Sequence, residues 1–384
     1  MSRSLAGIAI AALAIAFVPS VGIAGDTFRV LYNFKGESDG AIPYAGVVRD
    51  KAGNLYGTTQ EGGCGGCGPG YGVVFKLTPH GSEKLLHVFT GGSDGAYPLG
   101  DLLLDSSTGD LYGTTYEAGN LKCAGPLTGC GTIFKISSGG KFTTLYRFSG
   151  GADGSSPSDR LVRDEQGNFY GTARYGAAQR GTVFKFTTDG KLQTLHSFVK
   201  GEGGCPIARL RWDWAGNLYG TAPGDCFGDP SILFRLAPDG TFTKLLGGGD
   251  GASPYGGVAK DTDNNLYGTG GGGDPVCGCG LIFRLTPNGT ETVLHAFAEG
   301  GVPLGTLLRA RGGAYYGTTE REHTSGSIFR ITRGGRFETI HYFDQGKDGG
   351  NPTSSLIEDE NGNLYGTGNN GGTYGYGTVF TLKE

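Results

Sequence analysis

Short apolar runs alternate with breaks rich in glycine, aspartate and asparagine along nearly the whole chain. One cycle shows the pattern. Gly46-Val47-Val48-Arg49 runs into Asp50-Lys51-Ala52-Gly53-Asn54, a tight-turn signal between two β-prone segments. Leu55-Tyr56-Gly57-Thr58-Thr59 follows as a second strand, and a glycine-rich loop leads to a third over Gly72 to Thr78. Pro79-His80-Gly81 turns the chain into a fourth, Lys84 to Phe89. The third and fourth strands recur at Gly181 to Thr187 with Leu192 to Phe198, and at Leu281 to Thr286 with Thr292 to Phe297. No segment of useful length carries a 3.6-residue apolar period, so almost no helix is predicted.

The cycle repeats seven times. Tyr-Gly-Thr recurs at Tyr56, Tyr112, Tyr170, Tyr219, Tyr267, Tyr316 and Tyr365, each 13 or 14 residues after a proline: Pro43, Pro98, Pro157, Pro206, Pro254, Pro303 and Pro352. Seven four-stranded meanders predict an all-β chain, a seven-bladed β-propeller. The ends favour a ring over an open solenoid. Thr27 to Phe34 matches a fourth strand, and Gly377 to Leu382 matches a third. Pairing the two closes the ring without capping repeats.

Composition narrows the class. Of 384 residues 77 are glycine, yet proline is only 16 and the glycines do not fall every third position, which excludes collagen. Aromatics at 11% argue against disorder, and a net charge of −4 without a long basic run argues against nucleic-acid binding. Residues 1–24 read as an export signal: Arg3, an uncharged apolar run from Leu5 to Val18, then Gly22-Ile23-Ala24 before the cut. That run is shorter than the roughly 20 residues of a membrane span. A secreted or periplasmic monomer is expected, with the propeller over residues 25–384 and no membrane span in the mature chain.

Eight cysteines in an exported chain predict disulfides. In a propeller, the loops joining strands two and three emerge on the same face as those joining blades. That topology places all eight cysteines on one face, with local pairs Cys64–Cys67, Cys123–Cys130, Cys205–Cys226 and Cys277–Cys279. The last pair sits in a tight loop, where a redox or metal role stays open. No cofactor or metal is expected.

Several motifs carry candidate chemistry. The tyrosines of Tyr-Gly-Thr are expected to pack between blades, with the glycine letting backbones approach. His87, His196, His295 and His341 share fourth-strand positions with Tyr32, Tyr146 and Leu246, so a packing role is expected of them. Asp39, Asp94, Asp153, Asp250 and Asp348 begin Asp-Gly-x-x-Pro segments, which suit an Asx-type turn better than calcium.

The position three after each proline varies: Gly46, Asp101, Arg160, Arg209, Gly257, Thr306 and Ser355. An aliphatic residue always follows it, so the variable position should face the axial channel near its mouth. Asp101, Asp159, Arg160 and Arg209 then form either a self-neutralising ion cluster or a pocket for an anionic or sugar-like ligand. Tyr71, Tyr116, Tyr175, Tyr374 and Tyr376 offer stacking surfaces, and Trp212 is expected to be packed. No nucleophile elbow, metal-ligating histidine pair or phosphate loop is present.

The full unit is exemplified by Asp359-Glu360-Asn361-Gly362-Asn363-Leu364-Tyr365-Gly366-Thr367 and by Gly181-Thr182-Val183-Phe184-Lys185-Phe186-Thr187. It resembles the GloVer tandem repeat of exported bacterial proteins over nearly all of residues 27–384. That resemblance implies an exported repeat protein whose relatives carry varied surface anchors and have no settled activity. No C-terminal anchor is expected of this chain from its last residues, a departure from those relatives. The Gly-Asn-Leu-Tyr turn is also distantly similar to NHL-type propellers, including streptogramin lyases, over one hairpin only. The leading expectation is a module binding a glycan or an envelope or extracellular protein through its cysteine-bearing face. The alternative is an extracellular lyase or hydrolase acting on a polysaccharide or lactone at the channel mouth. Whether the chain is an enzyme is left open by its residues.

Overall fold

Each repeat folds as a four-stranded antiparallel sheet. In the first, Val48–Arg49, Leu55–Thr59, Val73–Leu77 and Glu83–Val88 pair in chain order from the axis outward. The computed structural model describes residues 27–65, 68–123, 128–176, 180–207, 209–224, 226, 228–247, 253–271, 279–298 and 300–383. Among these, seven such sheets stand as blades in a ring, and no α-helix occurs. The expected export signal lies outside the described residues. In the last blade Ile357–Glu358, Leu364–Gly368 and Thr378–Lys383 are joined by Thr27–Asn33, with Thr27 opposite Lys383 and Asn33 opposite Thr378.

Three features of Tyr-Gly-Thr explain its recurrence. In five blades the tyrosine hydroxyl donates to the aspartate that begins the preceding turn, as Tyr56 to Asp50 at 2.9 Å and Tyr365 to Asp359 at 3.0 Å. The same aspartate accepts from the turn asparagine, so one carboxylate locks the hairpin. The glycine makes room for a ring rather than for a neighbouring backbone. A Cβ at Gly57, Gly171 or Gly366 would lie 2.6 Å from the Cζ of Phe75, Phe184 or Phe380 on the next strand.

In six blades the threonine latches onto a carbonyl of the next blade. Thr58 donates to the Pro98 carbonyl at 3.2 Å, Thr269 to Gly305 at 3.2 Å and Thr318 to Ser354 at 3.0 Å. Thr367 of the last blade donates to Ala45 of the first at 2.9 Å.

Apolar clusters lie between blades and form the core. Tyr112 and Ile133 pack with Leu161, Phe169 and Phe184 of the next blade. Phe34 and Val379 of the last blade pack with Val47, Leu55 and Phe75 of the first.

The outer-strand histidines belong to this packing. His87 stacks on Phe142 at 3.6 Å, His196 on Phe242 at 3.9 Å, His295 on Phe337 at 3.5 Å and His341 on Phe28 at 3.9 Å. Burial holds all four imidazoles below their usual pKa. Asp94 accepts from His87 at 3.1 Å and from the Thr90 N–H at 3.0 Å, closing the turn into the next blade. Asp153 does the same with Tyr146 and Ser149. Where the motif is missing, Glu202 takes the place of the aspartate beside His196 at 3.1 Å. Asp250 lies outside the described residues.

Disulfides join Cys123 to Cys130 and Cys205 to Cys226. Cys64 and Cys279 are also disulfide-bonded. Their expected partners, Cys67 and Cys277, lie outside the described residues.

Candidate functional site at the channel mouth

The seven proline-anchored segments converge on the axis before each inner strand. The residue after each proline lines one cavity at the cysteine-bearing end: Tyr44, Leu99, Ser158, Ile207, Tyr255, Leu304 and Thr353. A second tier adds Ala45, Asp159, Gly256, Gly305 and Ser354, and a third adds Asp101, Gly257, Thr306 and Ser355. The cavity holds about 140 Å³.

Small residues let these segments crowd. A Cβ at Gly305 would sit 2.7 Å from the Ser354 carbonyl oxygen, and one at Gly46 would sit 2.7 Å from that of Ser355. The backbone before several prolines is held in the left-handed region, with φ of 56° at both Ile42 and Tyr97. For a β-branched residue such as Ile42 that conformation is strained, a form of strain that clusters at ligand sites.

Aromatic and polar groups share the cavity wall. Tyr44 is exposed at the rim, and Tyr116 and Tyr255 stand half-buried in the wall. Burial raises the Tyr44 phenol, with Glu320, Arg174 and Asp159 close enough to contribute. Arg174 enters the same wall, and its guanidinium lies 5.8 Å over the Tyr175 ring. Asp101 Oδ1 accepts from the Gly46 N–H at 2.7 Å, tying the second blade to the first. Asp159 is pushed up to about 7, first by burial and then by the charge of Asp101. Burial beside Asp101 thus lifts the Asp159 carboxyl well above the ordinary carboxylate range, as a proton donor requires.

The four residues singled out by sequence do not share one pocket. Asp101 and Asp159 line the upper cavity, whereas Arg160 and Arg209 line a second cavity toward the opposite end. Asp159 and Arg160, adjacent in the chain, thus line different cavities. No carboxylate lies within 4.0 Å of the Arg160 or Arg209 guanidinium among the described residues, although the charges of Asp101 and Asp159 still act on Arg160.

Of the five loop tyrosines, Tyr116 alone lines the upper cavity among the described residues. Tyr71, Tyr374 and Tyr376 are exposed elsewhere. Trp212 is half-buried and packs edge-on against Tyr170, as expected. Sequence reasoning passed over Tyr44, Tyr255 and Arg174. The signal for the first two was available: the position directly after proline varies between blades as much as the position two residues further on.

Among solved structures the chain is similar to one described as the extracellular domain of a one-component system from B. thetaiotaomicron. The two share 11% identity with a TM-score of 0.61, over 92% of this chain and 40% of that one. The chain thus spans about two fifths of that protein's length. A luciferin-regenerating enzyme matches with 14% identity and a TM-score of 0.50, over 76% of this chain and 93% of its own. A gluconolactonase from Xanthomonas campestris matches with 14% identity and a TM-score of 0.49, over 76% and 87%. At such identities the likeness is one of fold. No curated protein matches. The model of the Gloeobacter/Verrucomicrobia repeat matches residues 17–224, 123–327 and 213–384. Those overlapping spans take in every blade, and the chain belongs to the Gloeobacter/Verrucomicrobia repeat family.

Proposed function

We propose that the protein is an exported binding module whose upper cavity takes a glycan. The observation that carries the reading is the composition of that wall. Tyr44, Tyr116 and Tyr255 supply ring faces, while Asp101, Asp159, Arg174 and the hydroxyls of Ser158, Thr306 and Ser355 supply donors and acceptors. Flat apolar faces beside convergent polar groups match a sugar, which presents C–H faces and equatorial hydroxyls. Export agrees with the leader-like residues 1–24 and with the Cys123–Cys130 and Cys205–Cys226 disulfides. Among the described residues no helix is long and apolar enough to cross a membrane.

The test is a calorimetric screen of mature protein against neutral and acidic envelope and plant-type oligosaccharides. Saturable binding weakened about tenfold by Tyr44→Ala or Tyr255→Ala supports the reading, on the scale of one stacking contact. Binding indifferent to both substitutions refutes it.

A second reading rests on Asp159. A carboxyl held near pH 7 beside a second carboxylate is the arrangement of a general acid paired with a base. A lyase or hydrolase acting on a polysaccharide or lactone would use Asp159 to protonate a leaving oxygen. Product analysis in the same wells separates the two readings, because turnover abolished by Asp159→Asn requires the enzyme.

A further inference from the structure

The opposite end of the axis carries a different chemistry. A cavity of about 510 Å³ opens there, within the range of small-ligand sites. Its wall comes from five blades, through Leu103, Arg160, Arg209 to Trp214, Lys260 and Arg309. Six cationic side chains line it, against the carboxylates of Asp213 and Asp261.

Those two carboxylates are already engaged. Asp213 accepts from Asn217 and Tyr219 at 2.8 and 3.0 Å and pairs with Lys260 at 3.7 Å. Asp261 accepts from Asn265 at 2.8 Å and pairs with Arg333 at 3.2 Å. Arg163 is held by Asp105 at 2.5 Å. That leaves Arg160, Arg209, Arg211 and Arg309, none of which has a carboxylate within 4.0 Å among the described residues.

Like charges lie close together here. Burial and then the charge of Arg209 push Arg160 down to about 10, against the opposing pull of Asp101 and Asp159. Arg211 is lowered by burial and by Arg209 and Arg309. Two further N–H donors of the wall, Arg160 Nε and Trp212 Nε1, are buried without an acceptor. Four guanidinium groups lining one cavity, none in ion-pair contact with a carboxylate, are costly to hold together. The group that relieves this cost is an anion able to accept several hydrogen bonds in fork geometry.

We propose that the lower mouth of the axis is a second ligand site, for an oxyanion gripped by Arg160, Arg209, Arg211 and Arg309. Trp214 stands at its edge fully exposed and offers a ring face to whatever carries the anionic group. A phosphate or sulfate group and the carboxylate of a sugar acid share this chemistry. The site is independent of the upper cavity, so failure of the glycan reading leaves it standing.

The protein carries its own reporter. Its two tryptophans, Trp212 and Trp214, both line this cavity. Intrinsic fluorescence of the mature protein is titrated with inorganic phosphate, sulfate and an oligogalacturonate, against sodium chloride at matched ionic strength. A saturable change with the oxyanions and none with chloride is expected. Arg211→Gln and Arg309→Gln, both on the cavity wall, should each weaken binding at least about tenfold, as expected for the loss of charged hydrogen bonds. Arg336→Gln removes the same charge from an exposed site outside the cavity and should leave affinity unchanged. Near-ultraviolet circular dichroism checks that each variant is folded. Tighter binding of the oligogalacturonate identifies a sugar acid as the source, and tighter phosphate or sulfate binding identifies a tetrahedral anion. A response equal to that of chloride, or one that Arg336→Gln lowers as much as the cavity variants do, overturns the proposal.

Discussion

Gly171→Ala tests why Tyr-Gly-Thr needs its middle residue. The added Cβ would lie 2.6 Å from Phe184 Cζ and 3.0 Å from Leu161 Cδ2. Phe184 is 0% exposed and Leu161 1%, so neither side chain can swing into solvent. Overpacking of this kind costs about 1–3 kcal/mol. Gly171 does not occupy the left-handed region, so alanine also gains roughly 0.4–1 kcal/mol by restricting the unfolded chain. The net expectation is a loss of about 1–2 kcal/mol.

Phe184→Leu alone opens a cavity and also destabilises, by less than the ~3–5 kcal/mol of a phenylalanine-to-alanine change. In Gly171→Ala/Phe184→Leu the new methyl fills part of that cavity. The pair should therefore cost less than the sum of the singles by about 1 kcal/mol. Urea midpoints of the disulfide-intact protein give these differences when the transition slopes agree. Gly312→Ala is the control: an exposed glycine with no atom within 4 Å of its added Cβ, expected to be neutral or stabilising. Equal effects at Gly171 and Gly312, or strict additivity in the double variant, would refute the steric account.

Thr318→Val breaks the 3.0 Å latch to Ser354 and leaves a buried carbonyl unpaired, so a loss of about 1–2 kcal/mol is expected by urea melt. Thr172→Val should be neutral or stabilising, because the buried Thr172 Oγ1 has no partner to lose. The depressed histidines set a pH dependence. Their contribution is complete above the unfolded value near 6.5 and is lost as pH falls toward the folded value, since the unfolded chain takes up protons first. His87→Tyr copies the Tyr146–Asp153 pair of the next blade, and should hold stability at pH 7 while flattening the decline of melting temperature below pH 6.5. Replacing both cysteines of Cys205–Cys226 by serine should cost about 3.4 kcal/mol, against about 2.5 kcal/mol for Cys123–Cys130, because the longer loop regains more entropy.

Strand positions, blade number and the cysteine-bearing face were legible because they rest on local periodicity repeated seven times. The packing role of the histidines was legible for the same reason, since Tyr32 and Tyr146 replace them without loss of the turn aspartate. The glycine was misread in detail, because its partner Phe184 lies on another strand and only pairing register brings the ring over it. The threonine latch was missed, since its acceptors sit on the following blade. The site was half legible. Variation at the third residue after proline pointed to the axis, but one sequence does not reveal along which half of the axis each side chain extends.

That division follows from side-chain length at one backbone position. Asp101, Thr306 and Ser355 are short and line the upper cavity, whereas Arg160 and Arg209, at the same place in their blades, reach the lower one. The scaffold permits this because its own needs are met elsewhere. Turn aspartates are held by tyrosine and asparagine, and the latching threonines bind backbone carbonyls, so neither depends on which residue faces the axis. Seven nearly equal blades can thus carry unequal axial residues at little cost to the ring. The departures from symmetry cluster accordingly, with carboxylates and tyrosines at one end and arginines without an ion-pair partner in the third, fourth and sixth blades at the other. Repetition therefore marks what holds the wheel together, and the positions that break it are where ligand chemistry is to be sought.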